Sequence, residues 1–456
     1  MSLVADELIR FSSVLRMAYN FLTGRDYLKK KKFREKKKLI SIALPFSDLV
    51  YAFPDLIPVF PIRMHEFKIH KYLTYLGSAS NIFGWNKVSN FLGFVKDLGI
   101  KDISKTVDKI IEDVIETINE KYNEMFDIGV ESGLSSDFCY GIKSLYGMHV
   151  SKGKNCDANL NYTIRCSAWN KYLESIDAIG NPSKQIWIDI PPRNIGNSLE
   201  LFVDNINNAL NELGKISNSD YTSNELRNHF QTANRIRRTY KKIIYEISTS
   251  NFYPCNPATF SEILALLSIS FHDYNSNAMR FEKNISTLLM EMKGRIRNGI
   301  GMDVSKMPKI LITPMFGGWE PKTHDIIYEL GGRVLYGDWD LLQFLEDIPI
   351  SNTKDPIEAY AQYLMNITSN GIGCDNNTLT DSYLRLAKNL NADGLVFVQV
   401  FGCHSISNCF TMLKEKIRRE LEIPSIAVNF NKMGENIEQI KTRLGAFMEM
   451  ASLKKI

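Results

Sequence analysis

Residues 394–403 read Gly394-Leu395-Val396-Phe397-Val398-Gln399-Val400-Phe401-Gly402-Cys403. Apolar side chains fill this run at almost every position instead of every second one, as in a strand buried on both faces of a parallel sheet. Outward from it, short apolar runs and helical periodicities take turns. Upstream come a strand at Lys309–Thr313, a turn at Gly317 and Gly318, a helix over 322–330, a strand over 333–336 and helices over 356–368 and 379–390. Downstream come a helix over 405–421, a strand at Ser425–Phe430 and a last helix over 435–450. Strand and helix in alternation predict a doubly wound parallel sheet.

The first half of the chain carries a second set of the same signals. Apolar runs closed by prolines at 39–44 and 57–62 suit buried strands, and further strands are predicted over 162–165 and 186–190. Between them lies a helical stretch over 86–127, with Val107, Ile110, Ile111, Val114 and Ile115 at intervals of three and four. Residues 198–298 are helical by period except at 251–257 (NFYPCNP), where two prolines forbid a continuous helix. Residues 1–38 read as a helix, with Leu8, Phe11, Val14, Leu15, Tyr19 and Phe21 on its apolar side, running into a basic stretch. The expected class is therefore α/β: two doubly wound parallel-sheet domains of the Rossmann or flavodoxin-like kind, over 39–197 and 301–456. A helical connector over 198–300 joins them, and an N-terminal segment over 1–38 precedes them.

The chain has 456 residues, and its 55 Lys plus Arg against 51 Asp plus Glu leave a net charge of +4, too balanced for a protein built around a nucleic acid. Eight of the ten residues from Lys29 to Lys38 are Lys or Arg, either a docking patch for an anionic partner or a solvated face. The most apolar stretch, 39–62, contains Pro45, Pro54, Pro58 and Pro61 as well as Asp48 and Asp55, which rules it out as a membrane span. No secretory signal pattern opens the chain, so a cytoplasmic location is expected. A GxxxxGK[ST] loop, a dinucleotide fingerprint and a GxSxG elbow are all missing from the sequence, as is an HExxH among its seven histidines.

Seven cysteines without a paired pattern read as thiols, ligands or nucleophiles. Ligands of open α/β sheets bind just past the carboxyl ends of strands. Cys166 follows the predicted strand over 162–165, and Cys403 follows the 394–401 run. Cys139 stands ahead of a helix-like stretch, and a helix N-terminus favours a thiolate. A lone strand-end cysteine is commonly a small buried hydrophobe, whereas three at loop positions in two domains suggest a shared role. Their spacing fits no compact zinc or ferredoxin pattern, so it leaves the metal open. Cys255, in the proline break, reads as structural, and Cys409 as a packing residue of the following helix. Cys156 and Cys374 stay open, and His404 is the one histidine beside a candidate cysteine.

Several blocks add to this in order. They are Asp137-Phe138-Cys139 with Lys143-Ser144, Cys166 followed by Asp189-Ile190-Pro191, residues 254–262 (PCNPATFSE) and Phe316-Gly317-Gly318-Trp319-Glu320. In the last third come residues 392–397 (ADGLVF) running to Cys403, Glu422-Ile423-Pro424 and residues 442–449 (TRLGAFME). Together, over residues 131–456, they resemble the 2-hydroxyacyl-CoA dehydratase and benzoyl-CoA reductase family, and its dehydratase D-component in particular.

The resemblance implies an oxygen-sensitive enzyme of two related subunits, as a hetero- or homodimer, each with an iron-sulfur cluster between its α/β domains. It carries the cluster ligands over to Cys139, Cys166 and Cys403; three thiolates on a [4Fe-4S] cluster leave one iron open to a substrate oxygen. It implies an ATP-hydrolysing iron-sulfur activator protein that delivers one low-potential electron to an acyl-CoA thioester. The outcome would be either 2-hydroxyacyl-CoA dehydration through a ketyl radical or a benzoyl-CoA-type reduction. The family's early Pro-x-Glu is here Pro45-Phe46-Ser47-Asp48, which makes Ser47 and Asp48 candidates for supporting roles at the site, with His404 hydrogen-bonding near the cluster. A related branch holds an [8Fe-9S] double-cubane cluster and reduces small molecules without CoA; Cys156, Cys374 and Cys409 would be its first additional ligands. A third possibility is a non-catalytic scaffold or electron-relay subunit.

Overall fold

The computed structural model describes residues 6–42, 47–68, 71–98, 101–152, 155–163, 166–178, 184–192, 196–313, 320–337, 345–350, 355–368, 376–403 and 407–453. The α/β expectation holds: two four-stranded sheets organise the chain, and every strand pair in them is parallel. In the first, β1 (Lys38–Ile42), β2 (Leu56–Val59), β3 (Ala158–Thr163) and β4 (Lys184–Asp189) lie in the order β2-β1-β3-β4. A short antiparallel ribbon, β5 (Phe252–Tyr253) with β6 (Met302–Asp303), follows. In the second sheet, β7 (Lys309–Thr313), β8 (Arg333–Gly337), β9 (Gly394–Val400) and β10 (Ser425–Phe430) lie in the order β10-β9-β7-β8. All but one residue of β9 are buried, as its unbroken apolar run requires.

Each sheet has a point where its strand order reverses. β1 has β2 on one side and β3 on the other, and β7 stands likewise between β8 and β9. Crevices form outside the carboxyl ends of strands at such points. The segments leaving β3 and β9 there carry Cys166 and Cys403, and the segment after β1 carries Ser47 and Asp48.

Three local departures from expectation have physical causes. The predicted strand over 57–62 stops at Val59, because Pro61, with no N–H to give a ladder, opens a 3-10 turn over Pro61–Met64. β3 begins earlier than predicted, at Ala158. Asn159 and Asn161 disguise its apolar pattern although both are buried, and the Asn161 amide donates to Gln185 Oε1 of β4 at 2.8 Å. The single N-terminal helix is two, Ser12–Leu22 and Gly24–Phe33, broken at Thr23. The buried Arg63 guanidinium occupies the corner, donating to Asn20 O at the end of the first helix at 2.7 Å. A Cβ at Gly24 would lie 2.6 Å from Arg63 Cζ, so the corner accepts no larger residue without moving that guanidinium.

The helical stretch before β3 resolves into Lys71–Phe83, Trp85–Asp97 and Lys101–Glu131. The last of these packs backbone to backbone on the helix Tyr140–Lys152. A Cβ on Gly147 would overlap Met125 O, and one on Gly129 would overlap Lys143 O. Helices Ser198–Ser217, Ser223–Lys242, Pro257–Ser276 and Ala278–Arg297 lie between the sheets in sequence. At the predicted break, Pro257 takes the first helical position and the Asn256 side chain accepts from Ala258 N at 2.9 Å. One continuous core runs from Ile40 and Leu160 through Phe230 and Leu267 to Leu311 and Phe397. Among the described residues, no helix is long and apolar enough to cross a membrane.

Candidate functional site

Cys139 immediately precedes the helix Tyr140–Lys152, whose first turn is closed by Lys143 N donating to Cys139 O at 3.1 Å. Its thiol is buried. A hydrogen bond with the Cys403 thiol, above all, holds the Cys139 pKa below the ordinary thiol value. Burial opposes this, while the N–H groups of Ile142 and Gly141 and the charge of Lys143 reinforce it. Two thiols 264 positions apart in sequence thus meet, one beside the first sheet and one at the mouth of the second.

Gly402 makes that meeting possible. It has φ +77°, in the region that side chains strain to enter, and a Cβ there would overlap Asp137 O and sit 2.8 Å from Cys139 N. The β9 exit and the Ser135–Cys139 turn therefore pass backbone against backbone. Cys403 N returns to Val400 O at 3.0 Å, and Cys403 O accepts from both Ser407 N (3.1 Å) and Ser407 Oγ (2.9 Å), which fixes the turn behind the thiol.

Cys166 begins the helix Ser167–Ala178, its carbonyl accepting from Asn170 N at 3.0 Å, and it is half-buried like Cys403. It stands three residues beyond β3, as the predicted strand-end position requires. Among the described residues, no group of three His, Cys, Asp or Glu side chains is set closely enough to hold a single metal ion. The donor chemistry nonetheless suits a soft polynuclear group. There are three thiols, Cys139 and Cys166 at helix N-termini that stabilise thiolate, and Cys166 and Cys403 on segments leaving parallel sheets.

Ser47 and Asp48 lie at the start of a 3-10 turn over Asp48–Ala52, and both are fully buried. Ser47 Oγ donates to Asn275 Oδ1 at 2.8 Å. Asp48 is the centre of an internal network. Its carboxylate accepts from His229 Nε2 at 2.7 Å, from Tyr360 OH at 3.0 Å and from Tyr274 OH, and it faces the Arg237 guanidinium at 3.6 Å. Arg237 in turn donates to Tyr363 OH at 2.9 Å, and Tyr51 stacks on His229 with ring centroids 4.0 Å apart. Burial drives the Asp48 carboxyl upward, but the His229 bond, the Arg237 charge and the Tyr274 bond outweigh it and bring the pKa to about 2. These partners come from the connector and from the helix Pro356–Thr368, so the network ties three parts of the chain together.

Cys156, Cys255 and Cys409 have surroundings of their own. Cys156 packs in a small separate cluster with its Sγ 3.2 Å from Met64 Sδ, and burial pushes its thiol up to about 12. Cys255 is fully buried, with its thiol pKa raised for the same reason. Cys409 is buried at the start of the helix Cys409–Glu420, with its Sγ 3.2 Å from Asn376 Oδ1. His404 and Cys374 lie outside the described residues. From sequence, no role falls to Gly402, a glycine between a strand and a cysteine, or to Lys143, four residues after Cys139 and so on the same helix face.

Two comparisons bear on this geometry. Residues 114–451 match the family model for the 2-hydroxyglutaryl-CoA dehydratase D-component, a span that includes all three strand-end and helix-end cysteines. A relative in Escherichia coli (strain K12), named "Putative dehydratase subunit YjiM", is 28% identical over 180 residues, which is 38% of this chain. That match spans 45% of the relative's own length.

Proposed function

The chain belongs to the 2-hydroxyglutaryl-CoA dehydratase D-component family, and from that premise we propose that it is the iron-sulfur subunit of an activator-dependent dehydratase acting on an acyl-CoA thioester. The observation that carries this reading is the meeting of Cys139 and Cys403, brought from opposite ends of the matched region to one seam. Cys139, Cys166 and Cys403 would hold a [4Fe-4S] cluster. Bound there, the cluster would accept a single low-potential electron and offer one iron, free of protein ligand, to a carbonyl oxygen.

The chain's own residues do the rest. The Ile142 and Gly141 amides stabilise negative charge on Cys139, and the Ser407 bonds hold the Cys403 turn in place. Gly402 lets the two backbones approach closely enough to bring Cys403 to Cys139. Asp48, with both carboxylate oxygens engaged, anchors the buried interior rather than offering a free base. The proposal includes a homologous second subunit, an ATP-hydrolysing activator that supplies the electron, and a cytoplasmic, anaerobic setting. The separate packing of Cys156 and its raised pKa keep it out of the proposed ligand set.

Anaerobic purification, alone and with the genomic neighbours, followed by iron and acid-labile sulfide counts, tests the reading. About four irons per chain are expected. Cys166→Ala should lose them while Cys255→Ala retains them. Equal iron in the two variants overturns the ligand set, about eight irons favour a double cubane, and no iron in any preparation favours a scaffold.

A further inference from the structure

Lys143 is 5% exposed, and its ammonium donates to Ser136 O at 2.8 Å and lies 5.3 Å from the Phe126 ring centroid. Among the described residues, no carboxylate stands within ion-pair distance of it. The nearby Asp137 is bonded to Ser135 Oγ and contributes only a longer-range attraction. A buried ammonium with no carboxylate partner is costly unless some other anion answers it. The anionic group that attracts it is the Cys139 side chain, four residues earlier on the same helical face. Burial pushes the Lys143 pKa down and attraction to Cys139 only partly offsets it, while the Lys143 charge in turn favours the Cys139 thiolate.

We propose that Lys143 is a positioning residue whose buried charge serves as the counter-ion of the Cys139–Cys403 site and raises the reduction potential of the group those cysteines hold. This rests on the iron-sulfur reading above and deepens it. Reduction adds one negative charge to a site already rich in thiolate, and a fixed cation beside it stabilises the reduced form more than the oxidised form. The same side chain, through Ser136 O, braces the turn that presents Cys139. A bracing role alone would leave the potential of a loaded site unchanged.

The test is a reductive titration, followed by electron paramagnetic resonance, of anaerobically loaded wild type, Lys143→Gln and Lys143→Arg, with iron counted in each. Lys143→Gln should keep its iron and titrate at a more negative potential, with the one-electron equilibrium moved about tenfold, equivalent to 59 mV. Lys143→Arg should return to the wild-type value. An unmoved potential in Lys143→Gln at full iron overturns the proposal, as does a potential in Lys143→Arg displaced as far as in Lys143→Gln. If Lys143→Gln loses iron, the arginine variant decides: iron at the wild-type potential upholds the role of charge, and loss of iron there too overturns it. A wild type without iron overturns the iron-sulfur reading itself and this inference with it, whereas failure of the inference alone leaves wild-type iron intact.

Discussion

Gly402 carries the tightest constraint at the scale of single residues. Any side chain there must adopt a left-handed conformation, costing roughly 1–2 kcal/mol, and must also press against the Asp137–Cys139 backbone. Gly402→Ala should therefore lower the thermal midpoint and, if the site holds the proposed cluster, reduce iron per chain with it, because relief comes by parting Cys403 from Cys139. A variant with wild-type iron and midpoint would show that the two backbones can separate without consequence. Cys255 makes the contrast: it is fully buried in the core with its thiolate disfavoured, which agrees with its reading from sequence as a structural cysteine without a partner.

Among the elements, the helix Tyr140–Lys152 matters most, since it presents Cys139 at its start and Lys143 in its first turn. Its position depends on the crossing with Lys101–Glu131, where Gly129 and Gly147 allow backbone contact. Gly147→Ala should cost about 1–3 kcal/mol by overpacking, measurable as a reduced denaturant midpoint. An unchanged midpoint would mean that the crossing can widen freely. The basic run from Lys29 to Lys38 proves to be partly structural. Lys32 Nζ donates to Asn155 O at 2.7 Å, Lys37 Nζ to Pro54 O at 2.9 Å, and Lys38 Nζ to Ile216 O. Lys29 and Lys30 are exposed on the helix Gly24–Phe33. Reversing both to Glu should change stability by no more than about 0.5 kcal/mol. If the run docks the activator, the same change lowers activator-dependent turnover; unchanged turnover retires that role.

For the molecule as a whole, the buried Asp48 network is the clamp that joins the first sheet, the connector and the helix Pro356–Thr368. Asp48→Asn removes one member of a buried charge pair and should cost about 3–5 kcal/mol in denaturant unfolding. The carboxyl's pKa of about 2 lies below its ordinary 3.8, so its stabilisation is present above the ordinary value and is lost as pH falls toward 2. Between these limits, on the order of 2 kcal/mol should disappear from the wild type but not from Asp48→Asn. Parallel acid-unfolding curves for the two proteins would contradict that account.

Local chemistry was readable directly. Unbroken apolar runs such as Gly394–Val400 announce buried parallel strands, and their alternation with helices announces the α/β class. The expected placing of Cys166 and Cys403 just past strand ends, where ligands of such sheets bind, is also what the structure has. Where polar residues enter a buried strand, as at Asn159 and Asn161, the apolar pattern is hidden, and at Asn161 a cross-strand hydrogen bond does the work of hydrophobicity. Periodicity says nothing about which distant segments touch. The contact of Cys139 with Cys403, the need for glycine at position 402 and the burial of Lys143 against Phe126 are facts of packing between separate parts of the chain. They were settled only by the tertiary structure, because each depends on the position of a backbone or charge far away in sequence.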